Sequence, residues 1–182
     1  MEILKKQSTA IAVMILMILA ATLFGGHSSL AKLRGEAERA FAAGLDGDGI
    51  GIQNDLEERS AAAYNLVTIA RKYLPETDAS IQGVLTARDA LSAAGSISDK
   101  YEADQALSDA VTDLKNKLDD VNLSEKDAPY PDRLYTNFLS RGETISHDPY
   151  NRLAAEFNAA LTEFPASLLS KLTGVKSLEL FR

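Results

Sequence analysis

The sequence predicts an all-α protein, in which an N-terminal transmembrane helix is followed by an antiparallel bundle of four to five long helices. Residues 10–26 form an uncharged apolar run, and the rest of the chain is polar. Downstream, apolar residues recur at intervals of three and four, which is helical spacing, and no segment alternates as a strand does. The composition, rich in Ala, Leu and charged residues and without Trp, is typical of helical bundles.

The apolar run has a length that suits a short membrane anchor. As a helix rising about 1.5 Å per residue it reaches roughly 25 Å, near the lower limit for crossing a bilayer core of about 30 Å. An export signal is the alternative, since Ser29 and Ala31 precede a possible cleavage site after Ala31. The run is long for a signal core, so an uncleaved anchor is favoured. The predicted division is a tail over 1–9, an anchor over 10–26 and one bundle domain over 28–182.

Basic residues flank the apolar run on both sides. Lys5 and Lys6 precede it, whereas Lys32, Arg34 and Arg39 follow it, so the count alone does not decide the orientation. Because Lys5 and Lys6 directly adjoin the run, as in an export signal, the N-terminus is predicted in the cytoplasm and the bundle outside the membrane.

The charge of the soluble part excludes one class of partner. Without Glu2, Lys5 and Lys6 the chain has 17 basic and 25 acidic residues, a net charge of −8. Such a surface repels phosphates, so no nucleic-acid partner is expected. The absence of Cys excludes disulfides and thiolate metal sites.

Local signals divide the soluble part into helices. The membrane helix is expected to continue to the glycine-rich turn at 45–51, and a second helix runs from Ile52 to a stop before Pro75. Thr77 or Asp78 caps a third helix that ends at Gly95, and Ser96 or Ser98 caps a fourth. The fourth helix has the most regular apolar seam: Ala103, Leu107, Ala110, Leu114, Leu118 and Val121.

The last third of the chain is less regular. A connecting loop is expected at 127–132, followed by a helix from Leu134 that Gly142 weakens. A break at 147–149 precedes a helix from Tyr150 to Pro165. The amphipathic tail at 166–181 either lies on a membrane surface or packs back on the bundle.

Three stretches resemble the LemA family of bacterial membrane-anchored helical bundles. The first, at 55–76, resembles the family's pattern of Leu, basic residues, Asn-Leu-Val and an aromatic residue. The second, VLTARDAL, resembles the family's Val-x-x-Ala-Arg element. The third combines YPDRL with residues that resemble the family's Tyr-Asn, Phe-Asn and Phe-Pro series. The matching residues are Leu56, Arg59, Asn65, Leu66, Val67, Tyr73, Val84, Ala87, Arg88, Tyr130, Pro131, Tyr150, Asn151, Phe157, Asn158, Phe164 and Pro165. The resemblance implies the fold and the membrane anchor, and it implies no particular reaction.

Two patterns that suggest metal sites are better explained otherwise. Asp46, Asp48, Gly51 and Glu57 fall at calcium-loop positions one, three, six and twelve, but Ile50 stands where an oxygen donor is needed, so a glycine-rich turn is expected instead. The two histidines, His27 and His147, are far apart in sequence, and neither adjoins a serine in a nucleophile motif. No catalytic, metal or cofactor-binding residue and no small-molecule substrate is predicted.

Four polar residues are expected to have structural roles. Asn65, Asn151 and Asn158 stand beside aromatic residues or on apolar stripes, where a buried amide can fix helix register. Arg88 lies on the apolar face of its helix and is expected to pair with Glu57, Glu58 or Glu156, pinning two helices together.

The predicted function is that of a non-enzymatic, single-pass membrane protein of the LemA type. Its bundle would act at the bacterial cell envelope by contact with an unidentified envelope protein. The alternative is an anchored or secreted helical module that binds a small apolar or peptide ligand between its helices.

Overall fold

The computed structural model describes residues 2–45 and 49–182, with side chains from Lys6 onward, and this part of the chain contains helices and no strand. The helices are α1 (Glu2–Ala43), α2 (Ile52–Ala70), α3 (Ala79–Ala93), α4 (Ile97–Asp119), α5 (Pro129–His147), α6 (Tyr150–Ala160) and α7 (Ala166–Thr173). The predicted all-α class is confirmed, as is the continuation of the apolar N-terminal helix into the polar part of the chain.

The helices form two compact units. The first combines the chain up to Ala37 with Arg152–Leu178, and the second combines Glu38–Asn151 with Glu179–Arg182. Both α1 and α6 contribute to each unit. The boundaries expected at residues 26 and 28 fall inside α1.

The second unit is built around a bundle of α2, α3, α4 and α5. Paired residues on neighbouring helices run in opposite numerical order, as antiparallel helices require. The pairs are Asp55–Arg141, with Lys72–Asp127 just beyond the helix ends, for α2 with α5; Asp78–Lys117 and Gly83–Ala110 for α3 with α4; and Thr112–Tyr135 and Lys115–Asp132 for α4 with α5. The bundle is therefore antiparallel from one helix to the next, as the apolar spacing predicts.

Apolar side chains from all four helices fill this bundle. The largest fully buried ones are Ile52, Leu66, Val67, Ile81, Val84, Leu107, Val111, Leu114, Leu118 and Phe138. Burial of apolar surface is the dominant favourable term in folding, and no disulfide adds to it here because Cys is absent.

Side-chain caps set the beginnings of α3 and α4. The Asp78 carboxylate accepts a hydrogen bond from the backbone N–H of Ser80, and the Ser96 hydroxyl accepts one from the backbone N–H of Asp99. Each cap satisfies a backbone donor that the first helical turn leaves free. Of the alternatives offered by the sequence, Asp78 and Ser96 are the caps.

The prediction of a loop at 127–132 is wrong from Pro129 onward, because α5 begins there. Proline is tolerated in the first turn of a helix, where its missing N–H is not needed for an intrahelical bond. Pro129 and Pro131 therefore start the helix. The helix also continues through Gly142 to His147, where the expected break occurs.

In the first unit α7 runs alongside α1. Gly26 contacts the side chain of Leu169, and Arg34 Nη1 donates to the carbonyl oxygen of Lys176 at 2.6 Å. Gly174, with φ of 74°, ends α7, since this left-handed conformation costs glycine little. The tail expected to be amphipathic over 166–181 is thus helical only over 166–173.

Candidate functional site

The apolar part of α1 presents its side chains to the surroundings. Ile11, Leu16, Leu19 and Phe24 are all more than half exposed, and Phe24 reaches 79%. Among the described residues, α1 is the one helix long and apolar enough to cross a membrane, and its apolar window is unburied. An apolar surface of this size is unfavourable in water. A membrane anchor and a signal sequence both account for it.

A buried ion pair lies at the centre of the second unit. Arg59 of α2 donates from Nε to Asp104 of α4 at 2.7 Å, and the two side chains are only 4% and 5% exposed. Arg59 also donates to the Phe138 carbonyl oxygen of α5 at 2.8 Å and to the hydroxyl of Ser108. Its guanidinium carbon lies 3.8 Å from the centroid of the Phe138 ring. One side chain thus joins three helices.

The environment of this ion pair indicates a structural role. Burial raises the pKa of Asp104, and the positive charge of Arg59 opposes that rise. Because solvent scarcely reaches either group, a substrate cannot contact them. Breaking a buried pair leaves an uncompensated charge, so Arg59 and Asp104 restrict how α2, α4 and α5 can be aligned.

A second charged group lies one helical turn away along α2. Asp55 is 1% exposed and accepts a hydrogen bond from Arg141 Nη1 of α5 at 3.0 Å. Asp148, at the start of α6, accepts a bond from the backbone N–H of Tyr150 at 2.8 Å. Burial raises the pKa of Asp148, and the nearby charge of Asp55 adds to the rise. Asp55 therefore joins the first turn of α2 to α5, and Asp148 satisfies a backbone donor at the start of α6.

Gly142 gives the Arg59 guanidinium the space it needs. A Cβ atom at Gly142 would overlap Arg59 Nη1, whereas a Cβ at Gly83 of α3 would meet Ala110 at an ordinary 3.8 Å. The glycine that the sequence indicates as a weak point in α5 is therefore a point of close packing.

Asp78 combines a cap with an ion pair. Its carboxylate accepts bonds from Ser80 and from the ammonium of Lys117 on α4. These bonds, chiefly the one from Lys117, lower the pKa of Asp78 from 3.8 to about 2. The carboxylate is therefore charged throughout the physiological pH range.

Arg88 connects α3 to α2, although not through an acidic partner as expected. Its Nε donates to the backbone oxygen of Ser60 at 2.9 Å and to the Ser60 hydroxyl at 3.1 Å, and its guanidinium lies over the ring of Tyr64. Arg88 also lines an open cleft of about 340 Å³ with an apolar floor that includes Leu56 and Leu91.

Asn151 and Asn158 hold the C-terminal segment. In the second unit Asn151 donates to the Phe181 carbonyl oxygen at 2.9 Å and accepts from the Phe181 N–H at 2.8 Å. In the first unit Asn158 makes the same pair of bonds with Leu178, at 2.8 and 2.7 Å. Residues 178–181 belong to no helix, so their backbone groups need other hydrogen-bond partners. The two side-chain amides bond to these groups as a neighbouring strand would.

Asn65 is the exception among the predicted polar positions, and the expectation that it is buried is wrong. It lies exposed on α2 together with Tyr64 and Thr68, on the side opposite the buried Leu66 and Val67. Helical geometry turns successive residues by about 100°, so a neighbour of buried residues in sequence need not share their face.

The described residues offer no group of three or more His, Asp or Glu that would hold a metal ion. His147 is exposed, and its Nδ1 lies 2.9 Å from the carbonyl oxygen of Glu143 in its own helix. Asp46 and Asp48 of the calcium-like sequence lie outside the described residues.

Comparison with known proteins adds no identification. No protein-family model matches the chain, and no curated protein matches it at a significant level. The resemblance to the LemA family therefore stays a prediction that depends on the sequence motifs alone.

Proposed function

We propose that this chain is a non-enzymatic, single-pass membrane protein of the LemA type that displays its helical bundle at the bacterial cell envelope for contact with another protein. The exposed apolar surface of α1 is the observation that carries the proposal. A continuous helix joins that surface to the polar residues up to Ala43. In an uncleaved protein this helix would tether the rest of the chain to the membrane.

The polar residues support a binding role over a catalytic one. Three of the most deeply buried charged groups, Asp55, Arg59 and Asp104, are paired, and Arg59 and Asp104 are paired with each other. A catalytic acid or base needs to reach a substrate through a hydrogen bond or a bridging water. These groups hold helices in register and leave the outer faces of the bundle for a partner.

The proposed orientation has the N-terminus in the cytoplasm and the bundle outside. Lys5 and Lys6 adjoin the apolar run on the side that remains in the cytoplasm, which is the arrangement of an N-terminal export signal. The basic residues beyond the run are spread over a longer stretch that begins at Lys32.

Cell fractionation tests the proposal. The chain with a C-terminal tag should sediment with membranes, keep its full mass and resist extraction with carbonate, and the tag should be digested by protease added to intact spheroplasts. A protected tag would reverse the orientation. A soluble chain shortened to begin near Lys32 would refute the anchor.

The cleft between α2, α3 and α4 favours one alternative function. Its apolar floor and its polar rim, which includes Lys100 and Glu57, suit a small apolar or peptide ligand. Ala61→Trp would fill the cleft from its exposed edge. If ligand binding is the function, this variant should lose it while retaining its membrane attachment and its helix content.

A further inference from the structure

The turn after α6 together with α7, residues 161–173 and called the hairpin below, carries apolar side chains that remain exposed. Phe164, Leu168 and Leu172 follow one another at four-residue spacing, and they are 84%, 53% and 63% exposed. Four-residue spacing places Leu168 and Leu172 on one side of α7, with Phe164 just before the helix begins. Phe164 is one of the most exposed large apolar side chains described in this chain.

Two contacts fix the position of α7 along α1. Leu169 lies against Gly26, and the carbonyl oxygen of Lys176 accepts a bond from Arg34. Residue numbers rise together in these pairs, so the stretch from Leu169 to Lys176, which includes the second half of α7, runs in the same direction as α1. Residues that precede Leu169 therefore lie toward the apolar run of α1.

The register brings Phe164 to the level of the membrane boundary. The apolar run ends at Gly26, the residue that Leu169 contacts. α7 begins at Ala166, three residues or roughly 4.5 Å before Leu169 in the direction of the run, and Phe164 stands two residues before Ala166 in the chain. Amphipathic helices on membranes bury their apolar faces by about 5–10 Å, which is the same range.

We infer that the turn between α6 and α7 enters the membrane surface beside the anchor, with Phe164 deepest and Leu168 and Leu172 closer to the headgroups. The occupant of this apolar face is lipid. Lys171 is exposed on the same short helix, where its ammonium group can reach the headgroup region. The chain would thus hold the membrane at two points, the spanning helix and the hairpin.

This inference rests on the proposed anchor and is tested on the full chain. The protein contains no Trp, so one introduced Trp reports on one position. Four variants are reconstituted separately in phosphatidylcholine vesicles: Phe164→Trp, Leu168→Trp, Phe24→Trp inside the apolar run, and Leu33→Trp. Leu33 is exposed and lies about 10 Å beyond Gly26 along α1, so it serves as the control outside the membrane.

The readout is quenching of Trp emission by lipids brominated on their acyl chains. We expect Phe24→Trp to be quenched most strongly, Phe164→Trp to be blue-shifted and clearly quenched, Leu168→Trp to be quenched less, and Leu33→Trp to be scarcely quenched. All four variants replace exposed side chains, and circular dichroism checks that the helix content is retained.

The other outcomes overturn the inference in distinguishable ways. Quenching of Phe24→Trp with Phe164→Trp behaving like Leu33→Trp would leave the anchor intact and refute the inserted hairpin. A blue shift of Phe164→Trp without quenching by brominated lipid would mean that protein, such as a second copy of the chain, covers this face. Failure of Phe24→Trp to be quenched would refute the anchor and the hairpin together.

Discussion

Replacing Asp104 with Ala tests whether the buried ion pair stabilises the bundle. The substitution removes the carboxylate that lies 2.7 Å from Arg59 Nε and leaves the guanidinium in place. Arg59 would keep its bonds to the Phe138 carbonyl and to Ser108. Its charge, however, would stay buried without an opposite charge.

The expected cost follows from the burial of both groups. Removing one partner of a buried pair destabilises a protein by about 3–5 kcal/mol, because the remaining charge is uncompensated. The double variant Arg59→Met with Asp104→Leu removes both charges and restores apolar contacts. The loss of unfolding free energy in the double variant should therefore be about 2–3 kcal/mol smaller than the summed losses of Arg59→Met alone and Asp104→Leu alone.

Urea unfolding of the full chain in detergent micelles, followed by circular dichroism, measures these free energies. Asp109→Ala is the matched control, because it removes an exposed carboxylate from the same helix. We expect it to change the free energy of unfolding by less than about 0.5 kcal/mol. Equal m-values among the variants are required for the comparison.

Two results would refute this reasoning. A cost for Asp104→Ala below about 1 kcal/mol would mean that the pair adds little to stability. Strict additivity in the double variant would mean that the two side chains do not interact in the folded protein.

Three further predictions concern other contacts. Gly142→Ala should destabilise the protein by about 1–3 kcal/mol in the same urea assay, because the new Cβ would overlap Arg59. Gly83→Ala, where the new Cβ has room, should stabilise the protein by about 0.5–1 kcal/mol. An equal gain in stability for both variants would disprove the close packing at Gly142. Asn151→Leu should abolish the slow hydrogen exchange of the Phe181 N–H and cost about 1–3 kcal/mol, whereas the exposed Asn65→Leu should leave that exchange unchanged. Lowering the pH from 4 toward 2 should remove the stability that the Asp78 charge contributes, since the pKa of Asp78 in the folded protein, about 2, lies below its usual 3.8. The variant Asp78→Asn should lose less stability over this pH range. An equal loss in the variant and the unchanged protein would count against the pair with Lys117.

The sequence predicts helix ends well where the signal is local. Asp78 and Ser96 cap helices through bonds to residues two and three positions away, and both are among the predicted caps. Pro129 and Pro131 are misleading because proline suits both a loop and the first turn of a helix. Only the packing of the following residues decides between these roles.

Partners distant in sequence could not be predicted in the same way. Arg88 is correctly located on a buried face, yet its partner is the backbone of Ser60 rather than a glutamate. The more deeply buried Arg59 interacts with Asp104, which is 45 residues away. Arg59 stands three residues after Leu56 and four before Ala63, on the apolar stripe of α2, so its spacing indicates that it is buried but does not indicate its partner.

Cysteine accessibility tests the central claim, a single-pass anchor with an external bundle, most directly. The chain has no Cys, so Gln7→Cys and Ser140→Cys each introduce one thiol at an exposed position. With a membrane-impermeant maleimide on intact spheroplasts, position 140 should be labelled at once and position 7 only after permeabilisation. Labelling of position 7 but not of position 140 in intact spheroplasts would contradict the proposed topology.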